Sequence, residues 1–268
     1  MTQVTQPRTS LPTPAGSPAP ESLVTFSDLT VRYDAFTLGP VSFELRAGEV
    51  FCLVGPNGSG KTTLLNALLG LVPVAGGHAS LRGRPAAGRP PDVLRHIGFV
   101  SDDGAELVPE LTAQELWELH AWAHARAGGP RVDVSLAHAR RLAARLDFAI
   151  PSSSISAHSH GMRKKTQVVA ALLHEPDLLV LDEPHDGLDP IAIRRLDDLV
   201  AELARSGRTV LLATHDLHFA GRLADRVGVL YQGRLLAVAP PDAVVAPGED
   251  GFADAFFRIL SEAPEPPP

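Results

Sequence analysis

Residues 23–33, LVTFSDLTVRY, and 41–45, VSFEL, alternate apolar and polar side chains, the period of two expected of strands covered on one face. Residues 49–55, EVFCLVG, form an unbroken apolar run, as a strand buried on both faces of a parallel sheet does. The contrast predicts a small antiparallel edge beside a parallel core. Further apolar runs at 94–100 (LRHIGFV), 178–182 (LLVLD), 209–214 (TVLLAT) and 226–233 (RVGVLYQG) alternate with helical patterns, the mark of an α/β sheet. From about 111 to 174 the pattern is helical without a strand, through LTAQELWELHAWAHARA, the Ala/Arg-rich 132–147 and on past Met162. The expected organisation is a core of 22–105 and 177–250, interrupted by a helical subdomain at 106–176. Residues 1–21, rich in Pro, Thr and Ser, and the EAPEPPP that closes 251–268 after a short helix lack the apolar groups to offset their ordering entropy, and disorder is expected there.

With 268 residues, 44% hydrophobic and 21% charged, the chain can bury a sizeable core. The formal charge is −7, and the basic residues are scattered, without the cationic block or aromatic interleaving that tracks a nucleic-acid backbone; nucleic acid is not an expected partner. Cys52, the single cysteine, lies within EVFCLVG and reads as a small buried hydrophobe, so no disulfide framework is expected. No apolar stretch reaches the roughly 18 residues that span a bilayer, and the N-terminus lacks a charged start followed by an apolar segment. A cytoplasmic location follows as an expectation, with any membrane contact made through a partner.

Residues 55–63, GPNGSGKTT, lie between the buried run and the apolar helix LLNALLG, so the G-x-x-x-x-G-K-[ST] spacing stands in its strand–loop–helix context. Gly55, Gly58 and Gly60 let the loop, with Pro56, Asn57 and Ser59 between them, curl around phosphate oxygens and aim its free N–H groups at the anion. The positive end of the following helix adds to the attraction. Lys61 is placed for the β and γ phosphates, the Thr62 hydroxyl for Mg²⁺, and Thr63 for the α phosphate. In LLVLDEP the apolar run carries Asp182 and Glu183 to the carboxyl end of a buried strand, where ligands sit in open α/β sheets. Adjacent carboxylates there need compensation, which a magnesium ion supplies: Asp182 for the ion, Glu183 for the attacking water.

In chain order, GPNGSGKTT, SHGMRKK, LLVLDEP, DGLDP and LLATHDL resemble the motifs of ATP-binding subunits of ABC (ATP-binding cassette) transporters, over residues 22 to about 245. The resemblance implies an α/β P-loop NTPase fold, with a RecA-like core sheet, an antiparallel β edge and an inserted helical subdomain carrying the signature motif. It implies MgATP binding and hydrolysis, a dimer with a second ATP-binding subunit, a homodimer here, and a separate transmembrane permease on whose cytoplasmic membrane face the chain sits. By the same resemblance, Tyr33 stacks on adenine, Phe36 being the nearby alternative; Ser159 and Gly161 hold the γ phosphate of the opposite subunit's ATP; Asp189 lies in the loop crossing the interface; and His215 senses the γ phosphate. The S-x-G-M form is similar to that of exporter subunits. The alternatives are a soluble ABC ATPase acting on nucleic acid or the ribosome, and a weakly hydrolysing regulator.

Two departures stand out. Asp102 in GFVSDD replaces the family's usual Gln, within reach of the magnesium water shell but bringing negative charge toward the triphosphate. HSHGM at 158–162 replaces the usual LSGGQ. His158, His160, His185 and His215 would then lie near the dimer interface, where imidazoles titrate close to neutral pH. Arg163, Lys164 and Lys165 read as helix-surface cations, solvated or assisting the positive helix end. His120 and His124, spaced i,i+4, read as surface histidines beside the packing residues Trp117 and Trp122, without a third zinc ligand.

Overall fold

The computed structural model describes residues 22–263; the expected disorder of 1–21 and 264–268 lies outside the described residues. Strands β1 (Ser22–Tyr33) and β2 (Phe36–Arg46) form a hairpin closed at Tyr33 and Phe36. Val24, Phe26, Leu29 and Val31 of the first meet Leu38, Val41 and Leu45 of the second in one buried cluster, against which Phe43 also packs. After β3 (Val50–Val54) and helix α1 (Lys61–Leu68), β4 (Gly76–Leu81) and β5 (Arg84–Pro85) complete a four-stranded sheet of order β2-β1-β4-β5, antiparallel throughout. The one-turn α2 (Pro91–Leu94) and β6 (Ile97–Val100) follow. The strand expected over 94–100 thus begins only at Ile97, because the consecutive prolines Pro90 and Pro91 start a helical turn, proline being well suited to a first helical position.

Between β6 and the next strand the chain is helical: α3 (Ala113–Arg126), α4 (Val132–Arg145), a short 3₁₀ turn at Ile155–Ala157, and α5 (His160–Leu172). Thr112 and Glu115 cap α3 reciprocally, each side chain accepting the other's backbone N–H at 3.2 and 2.8 Å. The buried Trp117 ties α3 to α5 by donating Nε1–H to the Thr166 carbonyl at 3.0 Å. Trp122 does not pack: it is 61% exposed, on the opposite side of α3.

The chain then returns to the core through β7 (Leu178–Asp182), α6 (Pro190–Arg205), β8 (Thr209–Thr214), α7 (Leu217–Leu223), β9 (Arg226–Tyr231), β10 (Arg234–Ala239) and α8 (Phe252–Ser261). The larger sheet has the order β10-β9-β3-β8-β7-β6, parallel from β9 to β6 and antiparallel at β10. Its five parallel strands are buried along nearly their whole length, whereas β10 is half-buried. Alternate residues of β3 serve two different cores: Val50, Cys52 and Val54 meet the helical layer with Leu181, Leu212 and Val229, whereas Phe51 and Leu53 join α1 and the antiparallel sheet. Each buried branched side chain of this kind contributes about 1.5–3 kcal/mol over exposure, which favours this register over a one-residue slip.

The register also sets the chemistry. Val54 pairs with Thr214 and Asp182 with Ala213, so β3, β7 and β8 end side by side at one edge. The loop 55–60, Glu183 and His215 are each the next residues after those strand ends.

Candidate active site

The loop from Gly55 to Gly60 enters α1 through Gly60 in a left-handed conformation at φ 106, and no side chain caps the helix. Its first N–H groups therefore remain directed outward, as an anion requires. A glycine is needed at 55 for another reason: a β-carbon there would stand 2.1 Å from the Leu230 carbonyl of β9. Lys61 is buried, and its amine donates to the Gly55 carbonyl at 2.8 Å and the Pro56 carbonyl at 3.4 Å. The same amine lies 3.4 Å from Glu183 Oε1.

Thr62 donates its hydroxyl to Asp182 Oδ2 at 2.7 Å. Asp182 Oδ1 is buried and has no hydrogen-bond partner among the described residues. Burial is the main cause that pushes the Asp182 carboxyl up to about 6; the Thr62 hydrogen bond and Lys61 oppose this, while the charges of Glu183 and Asp102 add to it. A buried carboxylate with one unsatisfied oxygen, next to a threonine hydroxyl, is a donor set that fits a magnesium ion.

Glu183 follows with φ 41, a left-handed conformation that a non-glycine residue holds only under strain. Its N–H is anchored on the Ala213 carbonyl of β8 at 2.9 Å, which aims the carboxylate across the strand ends. His215 Nδ1 approaches Glu183 Oε2 at 3.0 Å, and the His215 backbone N–H donates to the same oxygen at 3.3 Å. A cavity of about 550 Å³ lies before these groups, lined by Tyr33, Phe36, Asn57 to Thr63, Asp102 and Glu183. Tyr33 is 49% exposed at the end of β1, with its ring free for contact, whereas Phe36 is half-buried and packs over Gly60. Asp102 also lines a second cavity together with Thr62 and Asp182.

The structure brings Tyr33, the loop Gly55–Thr63, Asp102, Asp182, Glu183 and His215 together; it does not bring Ser159 and Gly161 to them. Ser159 is the exposed N-cap of α5, its Oγ accepting the Met162 N–H at 3.3 Å, and Gly161 faces the turn before α6. Asp189 caps α6, its Oδ1 accepting the Ile191 and Ala192 N–H groups at 2.9 Å; those bonds hold its carboxyl below the usual range.

Several expectations for the histidines and cations are corrected. His158 is buried edge-on to Phe148 inside the helical segment, not at a polar surface. His185 is half-buried, its Nε2 bonded to Asp197 Oδ1 at 2.9 Å, and Arg222 of α7 pairs with the same aspartate. His160 stays exposed but lies over Gly187, whose added β-carbon would stand 2.2 Å from its Nδ1. His124 is half-buried and stacks on His174 with centroids 3.7 Å apart. Lys164 is not a surface cation at all, being 0% exposed. Asp186 escaped the sequence reading: a carboxylate oxygen of it lies within 4.8 Å of ligand atoms of Glu183 and His215. Only the fold of the turn after Glu183 reveals that.

A phosphate loop, an acidic strand end and a histidine on neighbouring strands of a parallel sheet define a P-loop nucleoside triphosphatase. The chain belongs to the ABC transporter family, as an ATP-binding cassette of the ABC ATPase class: the family's ABC transporter profile matches residues 38–186, more than half of it. It is 34% identical over 237 residues to a Nod factor export ATP-binding protein I of Neorhizobium galegae, covering 87% of this chain and 66% of that protein. It is 35% identical over 216 residues to a fluoroquinolones export ATP-binding protein of Mycobacterium tuberculosis, covering 80% of this chain and 69% of that one. A solved ATP-binding subunit of an ABC transporter superposes with TM-score 0.80 at 30% identity, covering 89% of this chain and all of that one. A dimeric ATP-binding cassette in a post-hydrolysis state with ADP and Pi shares the fold at TM-score 0.73 and 24% identity, covering 81% of this chain and 98% of that one. Among the described residues no helix is long and apolar enough to cross a membrane.

Proposed function

We propose that this chain is the ATP-hydrolysing motor subunit of an ABC exporter, working as a dimer of cassettes on the cytoplasmic face of the membrane through a separate permease subunit. The observation that carries the reading is Glu183, held at a strained strand end between Lys61 and His215 and facing the phosphate loop. In the proposed reaction the triphosphate lies along Gly55–Thr63 with its base on Tyr33. Lys61 leaves its loop carbonyls for the β and γ oxygens. Thr62 and Asp182 would hold Mg²⁺, which supplies neutralisation of charge on the β and γ oxygens. Glu183 accepts a proton from water as the water oxygen bonds to the γ phosphorus and the bond to the β-phosphate oxygen breaks, leaving ADP and Pi. His215 orients Glu183 and the γ phosphate. The gain is positioning and charge stabilisation.

The separation of Ser159 and Gly161 from their own phosphate cavity supports the dimer. Their exposed helix start would meet the ATP of a second subunit, so closing the dimer completes two sites at once. Two relatives carry export in their names, and the S-x-G-M signature has the same leaning. For the permease, the helical segment offers exposed Leu119 and Trp122 on α3 and a cavity of about 380 Å³ between Leu107, Pro109, Ile155 and Arg163. The test is twofold. Glu183→Gln should form an ATP-dependent dimer on gel filtration, and the tagged chain should be recovered from the membrane fraction with a polytopic protein. A chain that binds no MgATP, or that stays with ribosomes or nucleic acid, overturns the reading.

A further inference from the structure

The loop after β6 is fastened to the signature helix by a buried polar cluster. Lys164 donates its amine to the Ser101 carbonyl at 3.1 Å, and Gln167, three residues on and on the same helix face, donates Nε2 to that carbonyl at 3.2 Å. Gln167 also donates to Glu106 Oε1 at 2.7 Å. The Glu106 carboxylate in turn accepts the Ser101 N–H at 3.0 Å and the Ser101 hydroxyl, whose oxygen accepts the Ala105 N–H at 3.0 Å. Residues 101–106 are thereby closed on themselves and tied to α5 at two points, the carbonyl immediately before Asp102 and the Glu106 carboxylate.

An ammonium that is 0% exposed needs negative charge close by. The carboxylates acting on Lys164 are, in descending order, Asp102, Glu106, Asp186 and Asp182, the first two from the loop after β6 and the others from the end of β7 and the turn beyond. Burial lowers the Lys164 ammonium from the usual lysine range, and all four carboxylates work against that. Glu106 is already engaged by Ser101 and Gln167. Asp102 is exposed and lines the nucleotide cavity, where it faces Asp182, Glu183 and an incoming triphosphate. A carboxylate there without compensation would repel the substrate.

We propose that Lys164 is a positioning residue for hydrolysis: it sets the 101–106 loop on the signature helix and neutralises Asp102, so that a carboxylate can stand beside the metal and the γ phosphate. The proposal rests on the reading of Asp102 as a neighbour of the bound metal. It also links the two halves of the composite site, because Lys164 lies one turn beyond Ser159 and Gly161. A movement of α5 when those residues meet a second subunit's ATP is passed to Asp102 through the Ser101 carbonyl.

The test is a double-mutant cycle on the full chain with K164Q, D102Q and K164Q/D102Q, with K164R as the conservative variant. Two quantities are read: the ratio of N-methylanthraniloyl-ATP affinity with and without Mg²⁺, and kcat against KM. K164Q alone should weaken Mg²⁺-dependent binding and kcat by roughly tenfold, mid-range for coupling inside one network. In the D102Q background the same change should cost less than roughly threefold, and K164R should retain most of the parent's behaviour. Equal losses in both backgrounds, or none in either, overturn the proposal. If K164Q does not fold, the double variant decides: recovery of folding and binding supports the pair, and an unfolded double variant overturns it. A parent chain that binds no MgATP refutes the nucleotide reading itself, whereas a parent that binds while the cycle shows no coupling refutes only the role of Lys164.

Discussion

His215 and Glu183 are joined twice, imidazole to carboxylate at 3.0 Å and backbone N–H to the same Oε2 at 3.3 Å. The second bond does not depend on the histidine side chain. Replacing His215 therefore leaves Glu183 anchored from the β8 side, while replacing Glu183 removes the acceptor that both bonds share. Lys61, 3.4 Å from the other carboxylate oxygen, makes Glu183 the meeting point of the phosphate loop and the strand ends.

Glu183→Gln should keep nucleotide binding, because the amide conserves shape and the Lys61 contacts to the loop carbonyls are unaffected. Turnover should fall by about 10²–10⁴-fold, the usual size of a general-base contribution. The variant should accumulate as an ATP-bound dimer, read by gel filtration with and without ATP. Hydrolysis at the parent rate would remove Glu183 as the base.

Lys61→Ala should abolish MgATP binding or turnover. The loop keeps its outward N–H groups, but the triphosphate loses the only side-chain cation lining that cavity among the described residues. Glu183 also loses its buried partner, so the variant should be less stable than the parent. Titration with a fluorescent ATP analogue separates the binding loss from any loss of fold.

Ser159→Arg should spare nucleotide binding by the monomer and block ATP-dependent dimerisation. Ser159 is also a helix cap, so the substitution costs about 1 kcal/mol of stability on its own account. Ser159→Asp keeps a capping side chain and removes the neutral hydroxyl, and should be as stable as the parent yet fail to dimerise with ATP. If both variants dimerise normally, Ser159 is only a cap.

Much of this arrangement was legible because backbone requirements write themselves into residue type. The unbroken run at 50–54 and the glycine spacing after it specify a buried strand and a phosphate loop, and LLVLDEP places its carboxylates by length alone. Strand β4 is not legible because it begins Gly76-Gly77, and β10 because LLAVA, after Gln232-Gly233-Arg234, lacks the alternation that marks a half-covered strand. The cations of SHGMRKK were read by charge, yet Arg163 is exposed and Lys164 wholly buried. Which of two adjacent helix positions faces the 101–106 loop is set by tertiary packing of α5, and no local pattern shows it. The contacts of His158 and His185 are hidden from the sequence for the same reason: their partners, Phe148 and Asp197, come from separate elements.

His174 gives a pH dependence with a definite sign. Its ring is buried against His124, with Nε2 donating to the Ile97 carbonyl at 3.2 Å. Burial first, then the proximity of His124, lowers its pKa from 6.5 to about 3; the Ile97 hydrogen bond opposes this, and His120 and Arg208 add smaller lowering effects. The unfolded chain therefore binds a proton near pH 6.5 that the folded chain refuses until about pH 3, so stability is fully present above 6.5 and falls as pH drops through that window. At pH 5 the loss should be roughly 2 kcal/mol, or roughly 4–8 °C in melting temperature. Asp182, raised to about 6 in the folded chain, acts in the opposite direction between its ordinary range and 6, so the parent's melting curve alone mixes the two. His174→Gln keeps a donor for Ile97 and removes the titration. The difference between parent and variant melting temperatures, measured at pH 7.5 and pH 5, should shift in favour of the variant at the lower pH; a difference that does not move with pH would show that His174 is protonated in the folded chain.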